Sequence, residues 1–201
     1  MTEADFPLLS LIITIPLLGA LLAGSIRNVD VAKQIAFFTA LITFVLTACA
    51  TLLFDADKSG FQLVERYDWI PLLKIEYLVG VDGISVLFLP MTGLLTIITM
   101  LASWSAISHS SRFHFSLLLA LESVSIGVFC ALDTVLFFLF WELTLPPFFF
   151  LIGLWGIGSQ RRSAAMKYTL FMLAGGVTLL LAIIVLATNH AKQIGGQIPN
   201  D

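Results

Sequence analysis

The sequence predicts an all-α integral membrane protein with six transmembrane helices and a small β-hairpin on its outer face. Of its 201 residues, 59% are hydrophobic and only 11% are charged, which is more apolar surface than one soluble core can cover. The apolar residues also lie in long runs. A helix that rises 1.5 Å per residue needs about 20 such residues to cross about 30 Å of hydrocarbon, and six runs are long enough.

Each predicted span ends where charged or turn-forming residues begin, and no soluble domain remains outside the spans. The first span follows the acidic stretch MTEAD and is too long for the apolar region of a cleaved signal peptide, so it is expected to stay in the membrane. Cys49 and Cys130 fall inside spans and are interpreted as small buried hydrophobic residues. The spans run approximately over 6–26, 32–54, 83–104, 113–132, 134–157 and 164–188.

The segment between the second and third spans, 55–82, carries the predicted hairpin. Its evidence is a period of two, in which Leu73, Ile75, Tyr77 and Val79 alternate with Lys74, Glu76 and Leu78. The stretch FQLVERYDW supplies a first strand, and Ile70-Pro71 lies between the two. Asp82 then precedes the third span, where its carboxylate is expected to cap the helix by accepting hydrogen bonds from free backbone N–H groups.

Basic residues in the short loops predict the orientation. Loops 27–33, 105–112 and 158–163 contain Arg27, Lys33, Arg112, Arg161 and Arg162. Segment 55–82 on the opposite side is acidic on balance. Because short loops rich in Lys and Arg stay on the inner side, both termini are expected on the outer, periplasmic side of a bacterial inner membrane.

No residue pattern in the chain is typical of redox or hydrolytic chemistry. The sequence has no cluster with metal-ligand spacing, no glycine loop for phosphate, no nucleotide-binding fingerprint and no nucleophile-base arrangement. We therefore expect no catalytic residue, cofactor or metal on this chain, and no nucleic acid as a partner.

Two acidic residues, Glu122 and Glu142, lie inside predicted spans. A charge at the centre of a membrane helix costs about 2.5–3.5 kcal/mol on insertion scales, and such residues are usually functional. Both flank the short link at Asp133, so the fourth and fifth spans form an antiparallel hairpin. Glu122 lies eleven residues before Asp133 and Glu142 nine after it, which predicts that both lie near the midplane, level to within a helical turn.

Two prolines follow Glu142 directly. Pro146 lacks the N–H that would bond the carbonyl of Glu142, and Pro147 likewise leaves the carbonyl of Leu143 without its helical donor. In lipid, backbone groups released in this way need other partners or water. The pattern favours a proton-relay residue in a distorted helix. The alternative is a kinked helix with a protonated, hydrogen-bonded glutamic acid that has only a packing role.

Several long motifs occur along the chain: VERYDWIP and IEYLVGVDGIS before the third span, GVFCALDTVLFFLFWELTLPP, LIGLWG, and RRSAAMKYTLFMLAGG. Together they resemble one family, the antiporter-like membrane chains of NADH:quinone oxidoreductase, which is respiratory complex I. The sequence is similar to chain M of the bacterial complex, which is equivalent to mitochondrial chain 4. The resemblance covers essentially the whole sequence and extends, more loosely, to cation/proton antiporter and membrane-hydrogenase subunits. Pro146 departs from the aliphatic residue that the family has there.

The resemblance implies proton translocation coupled to electron transfer from NADH to quinone. Glu142 matches a glutamate of the proton path, and Glu122 matches an acidic position of many members. NADH, FMN, iron-sulfur clusters and quinone would bind to other subunits of the complex, and the partners would be neighbouring antiporter-like chains and the lipid bilayer. The alternatives are a cation/proton antiporter subunit, or a fragment without independent activity.

The family also has about fourteen helices, so the resemblance implies that residues 1–201 are an N-terminal membrane portion. The basic helix that faces Glu142 would follow Asp201. Three further residues, His109, His114 and Lys167, lie near inner ends of spans and are candidates for proton uptake. Gly175 and Gly176 are interpreted as positions that let helices pack closely.

Overall fold

The computed structural model describes residues 6–70 and 75–195, which form seven helices and one pair of strands. In chain order these are α1 (Leu8–Ser25), α2 (Val29–Leu53), β1 (Gln62–Ile70), β2 (Ile75–Val81), α3 (Ser85–Ser103), α4 (Ser111–Cys130), α5 (Thr134–Leu143), α6 (Leu145–Trp155) and α7 (Arg161–Gly195).

The described part of the chain contains six helical segments that are long and apolar enough to cross a membrane, in agreement with the prediction of six spans. Five spans are the single helices α1, α2, α3, α4 and α7, and α5 and α6 together supply the other, Thr134–Trp155. The structure differs from the prediction in two places. The predicted single helix over 134–157 is divided at Thr144, and the last helix continues past the predicted end at 188, to Gly195.

Helix α4 is the centre of the bundle. In its apolar stretch of 18 residues, 61% of the residues are buried, against 6% in the corresponding stretch of α7. It packs against α1, α2, α3, α5 and α6, whereas α7 packs mainly against α5 and α6. Two serines on α4 tie it to α1, because the buried Ser123 Oγ donates to the carbonyl of Ile13 at 2.6 Å and the half-buried Ser116 Oγ to that of Ala20 at 2.6 Å. Such interhelical bonds replace the hydrophobic driving force that is absent in lipid.

The antiparallel pair β1 and β2 confirms the predicted hairpin, with Tyr67 opposite Tyr77. Residues 71–74, where the turn and the start of the second strand were predicted, lie outside the described residues. The hairpin packs at the end of the bundle where α1 begins and α4 ends, since the Leu132 N–H donates to the Leu78 carbonyl at 2.9 Å. Residues 79–81 are all buried, because this part of β2 packs between β1 and the link after α4.

Asp82 caps α3 as predicted. Its Oδ1 accepts from the backbone N–H of Ile84 at 3.1 Å and of Ser85 at 2.6 Å, and Ser85 Oγ accepts from the Asp82 N–H at 2.9 Å. The backbone bond from Ser85 holds the pKa of Asp82 below its usual 3.8. Asp133 caps α5 in the same way, with Oδ1 2.9 Å from the N–H groups of both Val135 and Leu136.

The opposite end of the bundle gathers the short basic loops. Arg112 Nη1 donates to the carbonyl of Ile26 at 3.0 Å, and Lys33 Nζ donates to the carbonyl of Trp104 at 2.7 Å. Both carbonyls follow the last turn of a helix, where cations satisfy free acceptors and suit the negative end of the helix dipole. The hairpin and the basic loops therefore lie at opposite ends of the helices.

Candidate functional site

Glu142 lies in the last turn of α5, directly before the break between α5 and α6. The break is a single residue, Thr144, whose backbone N–H and Oγ1 both donate to the carbonyl of Trp141, at 3.2 and 2.7 Å. Pro146 and Pro147 occupy the first turn of α6, a position that prolines favour because the N–H groups there have no partner in the helix. The structure thus ends one helix at the glutamate and starts a second one with the prolines.

The carboxylate of Glu142 is turned towards α7. A Cβ atom built on Gly176 would overlap Oε1 of Glu142 and would lie 2.9 Å from its Cδ. This oxygen is buried, and no hydrogen-bond donor among the described residues reaches it. The carboxylate also lines a pocket of about 410 Å³ between α5, α6 and α7, whose walls include the aromatic rings of Phe149 and Phe150.

A second polar atom faces the same pocket. Thr169 of α7 lines it together with Glu142, and the Thr169 hydroxyl is buried without a hydrogen-bond partner in the described part of the chain. Thr169 lies two helical turns before Gly176, roughly 10 Å away along the axis of α7.

Glu122 of α4 is the most deeply buried acid of the described chain, with 1% of its surface exposed. Neither of its oxygens has a partner among the described residues. It borders a pocket of about 290 Å³ between α3 and α4. Three threonines one to two turns apart on α3 line this pocket opposite the acid: Thr92, Thr96 and Thr99. Each donates its hydroxyl to a carbonyl of its own helix and keeps acceptor capacity for water or a protonated acid.

The two glutamates lie at similar height but open on different sides of α4 and α5. Gly127 lies against the ring of Phe140, since a Cβ there would come within 2.5 Å of the ring. In an antiparallel pair, this register places Glu122 within about one turn of the level of Glu142, as the sequence predicts. Glu122, however, borders the pocket towards α3 and Glu142 the pocket towards α7.

Two of the three residues considered for proton uptake come together around Trp155. Its indole N–H donates to the carbonyl of His109 at 3.1 Å, and its ring centroid lies 6.0 Å from that of His109 and 4.7 Å from that of His114. His114 is buried, and both ring nitrogens lack a partner within 6–70 and 75–195. Lys167 is exposed on α7 and makes no hydrogen bond or ion pair with either histidine in those ranges.

Within the described residues, no cation pairs with either membrane glutamate. The ion pairs there are Lys58 with Asp55 and Arg66 with Glu76, all in the segment 55–82. No group of three His, Cys, Asp or Glu side chains in the same part of the chain could hold a metal ion.

Sequence reasoning missed one buried acid, Glu65 of β1, which is 4% exposed. Its Oε1 accepts from the Leu9 N–H at 2.6 Å, and its Oε2 accepts from the Ser10 N–H at 3.1 Å and from the Ser10 hydroxyl. Ser10 Oγ also lies 3.0 Å from Tyr77 Oη. The hairpin thus caps α1 from outside the helix. No local signal distinguishes Glu65 from the exposed acids nearby, because the bonds join residues 55 or more positions apart.

Comparison with known proteins agrees with the resemblance seen in the sequence. Residues 131–194 match the family model described as "NADH:quinone oxidoreductase/Mrp antiporter, TM", and this stretch includes Glu142, Thr169 and Gly176. NAD(P)H-quinone oxidoreductase chain 4 of Synechococcus sp. (strain WH7803) is 36% identical over 201 residues, covering 98% of this chain and 35% of that protein.

Two further similarities extend this result. F(420)H(2) dehydrogenase subunit M of Methanosarcina mazei is 34% identical over 189 residues, covering 94% of this chain and 38% of that protein. A chain in the structure of respiratory complex I from Thermus thermophilus with bound NADH has the same fold, with a TM-score of 0.75 at 22% identity, over 88% of this chain and 35% of that chain.

The chain spans little more than a third of the curated relatives that it matches. The similarity nevertheless covers nearly all of its own residues, and the matched domain contains the helix break and its glutamate. Over nearly all of its residues the chain is similar to the chain 4 subunits of NAD(P)H-quinone oxidoreductases.

Proposed function

We propose that this chain is the N-terminal membrane portion of a proton-translocating subunit of an NADH:quinone oxidoreductase. The observation that carries the proposal is the Glu142 carboxylate, which lies at a helix break inside a candidate membrane span, with one buried oxygen that no donor among the described residues reaches. In this proposal NADH, FMN, iron-sulfur clusters and quinone bind to other subunits. The chain contributes a proton site to the complex and is not catalytic by itself.

The environment of Glu142 suits a group that is protonated at one stage of turnover and ionised at another. Removal from water disfavours the charged form of a carboxyl group, whereas a nearby cation favours it. No cation lies against Glu142 in the described part of the chain. A basic side chain that approached the carboxylate would favour release of the proton, and its withdrawal would favour uptake.

The break at Thr144 supplies the second requirement, a hydrated path. Irregular backbone at membrane depth is tolerated where it lines a cavity that holds water or is buried in protein. Proline at 146 removes the helical donor of the Glu142 carbonyl, and the pocket beside it is lined by Thr169, whose hydroxyl is buried without a hydrogen-bond partner among the described residues. Carbonyl, hydroxyl and carboxylate together offer the polar partners that a chain of waters needs.

Glu122 is proposed as a second protonatable group of the same path. It lies near the level of Glu142 and faces a pocket lined by threonine hydroxyls. Because it opens on the other side of the α4–α5 pair, transfer between the two acids requires water or an intervening group. His109 and His114, beside Trp155, are proposed to take up protons at the basic end of the bundle, and the exposed Lys167 to contribute charge there.

The proposed location is a bacterial inner membrane, with the basic loops inside and the hairpin and both termini on the outer side. Its support is the separation of charge along the bundle. The loops with Arg27, Lys33, Arg112, Arg161 and Arg162 gather at one end, whereas the acidic segment 55–82 lies at the other. The proposed partners are the lipid bilayer and neighbouring antiporter-like membrane chains.

A cation/proton antiporter subunit is the second candidate, favoured by the same family model, whose description names Mrp antiporters as well as NADH:quinone oxidoreductase. The same carboxylate would serve in either assembly. The two differ in the driving reaction. Proton movement that follows NADH addition supports the oxidoreductase, whereas movement that follows only an imposed sodium gradient supports the antiporter.

The test is Glu142→Gln in the complete assembly, measured as NADH-driven proton uptake into membrane vesicles. Glutamine keeps the shape and the hydrogen-bonding capacity of the side chain but cannot titrate, so pumping should fall roughly tenfold or more, a loss typical of a removed proton-transfer group. Glu142→Asp should retain part of the pumping activity, and Glu122→Gln should lower pumping less than Glu142→Gln does. A Glu142→Gln assembly of normal composition that pumps at the unmodified rate would refute the proposal and leave Glu142 with a packing role.

A further inference from the structure

Adjacent glycines on α7 have different surroundings. A Cβ atom built on Gly175 would have no neighbour within 4 Å among the described residues outside its own stretch of helix. A Cβ atom built on Gly176 would overlap Oε1 of Glu142, and it would lie 2.9 Å from Cδ and 3.5 Å from Oε2 of the same side chain. The three atoms nearest to the missing Cβ therefore all belong to one carboxylate, and the space left by Gly176 is the space that the carboxylate fills.

We infer that Gly176 is a positioning residue for Glu142, and that its lack of a side chain sets where the carboxylate holds its proton. The inference rests on the proposed proton-transfer role of Glu142. It replaces the interpretation of both glycines as positions for close helix packing. Packing would bring the backbone or an apolar side chain of another helix against them, whereas the neighbour of Gly176 is a titratable group and Gly175 has no neighbour within 4 Å from another element of the described chain.

The size of the expected displacement follows from van der Waals contact. A carbon and a carboxylate oxygen approach to a little over 3 Å, so a methyl group at position 176 must push Oε1 away by roughly 1 Å or more. The carboxylate ends a flexible side chain, and the adjoining pocket of about 410 Å³ offers room for it. The helices therefore need not separate, and the substitution should move the acid rather than unfold the bundle.

Such a displacement matters because proton transfer needs donor and acceptor within about 2.6–3.2 Å of each other, directly or through one water. A misplacement of about 1 Å can cost up to roughly 100-fold in rate. Moving the carboxylate from the backbone of α7 into the pocket would also change its hydration. A change in the pH dependence of pumping should therefore accompany the loss of rate, which a general loss of packing would not produce.

The matched variants are Gly176→Ala and Gly175→Ala, compared in the complete assembly as NADH-driven proton uptake into vesicles at several pH values. Gly176→Ala should lower the rate at least about tenfold and displace the pH profile, whereas Gly175→Ala should leave both unchanged. A rescue variant combines Gly176→Ala with Glu142→Asp. The aspartate is shorter by one methylene, about 1.5 Å, so the pair should pump better than Gly176→Ala alone.

The outcomes separate this inference from the proposed function. If Glu142→Gln abolishes pumping while Gly176→Ala behaves like Gly175→Ala, the inference fails and the proposed function stands. If Glu142→Gln pumps normally, the proposed function fails, and the inference that rests on it fails with it. Equal losses for both glycine variants, or a double variant that is worse than Gly176→Ala, would also overturn the inference.

Assembly provides a separate measurement if Gly176→Ala is not incorporated. Incorporation restored by Glu142→Asp would support a clash with the carboxylate, and failure of this rescue would refute it. In an assembled variant, the infrared carbonyl band that disappears in Glu142→Gln should be shifted by Gly176→Ala and unshifted by Gly175→Ala. An unshifted band in Gly176→Ala would count against the inference independently of activity.

Discussion

Replacing Glu65 by glutamine is expected to destabilise the attachment of the hairpin to α1 by about 3 kcal/mol. The carboxylate accepts two backbone N–H groups and one hydroxyl from Leu9 and Ser10. A glutamine keeps one acceptor oxygen but turns an NH₂ donor towards the remaining donors. A buried N–H left without a partner costs about 1–3 kcal/mol. Loss of the negative charge from the positive end of α1 adds a further destabilisation of about 0.3–1 kcal/mol, or up to about 2 kcal/mol where the charge is partly buried.

The same hairpin supplies a matched control, Glu76→Gln. Glu76 pairs with Arg66 at 2.6 Å, but the side chains of Arg66 and Glu76 are 60% and 25% exposed, respectively. An ion pair of this kind contributes about 0–1 kcal/mol. Both variants remove one negative charge from the same strand pair, so the difference between them measures burial and hydrogen bonding at Glu65.

The assay is thermal unfolding of the purified protein in detergent, combined with amide hydrogen exchange at the start of α1. At about 2–4 °C per kcal/mol for a chain of this size, Glu65→Gln should lower Tm by roughly 6–12 °C and Glu76→Gln by only a few degrees. Exchange should quicken at Leu9 and Ser10 in the first variant alone. Equal Tm values for the two variants, with unchanged exchange at these amides, would refute the assignment of Glu65 as the cap of α1.

Two further predictions concern the helix ends. The pKa of Asp82 is lowered by the bond from the Ser85 N–H, so its contribution to stability should be complete above pH about 3.8 and be lost as the pH falls through the lower pKa of the folded state. Asp82→Asn should remove that part of the dependence of Tm on acid pH. If Tm falls with acid pH in the same way in the variant, the prediction is contradicted. The second prediction concerns orientation. A cysteine introduced at Ser159, which is exposed in the loop before α7, should react with a membrane-impermeant thiol reagent only from the inner side. If this cysteine is labelled in intact cells, the proposed orientation is wrong.

The amino-acid sequence by itself determined the features that depend on solvent and on local chain chemistry. Long apolar runs locate the six spans because the backbone in lipid must bond within its own helix. Asp82 was identifiable as a cap since its partners are two and three residues away. Glu122 and Glu142 were recognisable because an acid among apolar residues is costly wherever the helix packs. Their similar height follows from the short link at Asp133 and the fixed helical rise.

Tertiary structure alone decided which groups meet across the bundle. Glu65 is buried because β1 folds back on the first turn of α1, a contact between distant residues with no periodic signal. Glu122 and Glu142 open to different pockets, which is set by the rotation of α4 and α5 and by the positions of α3 and α7. Nothing in the sequence distinguishes Gly175 from Gly176. Only the packing of α5 against α7 places the Glu142 carboxylate against one of them, because residues 100° apart on a helix face different neighbours.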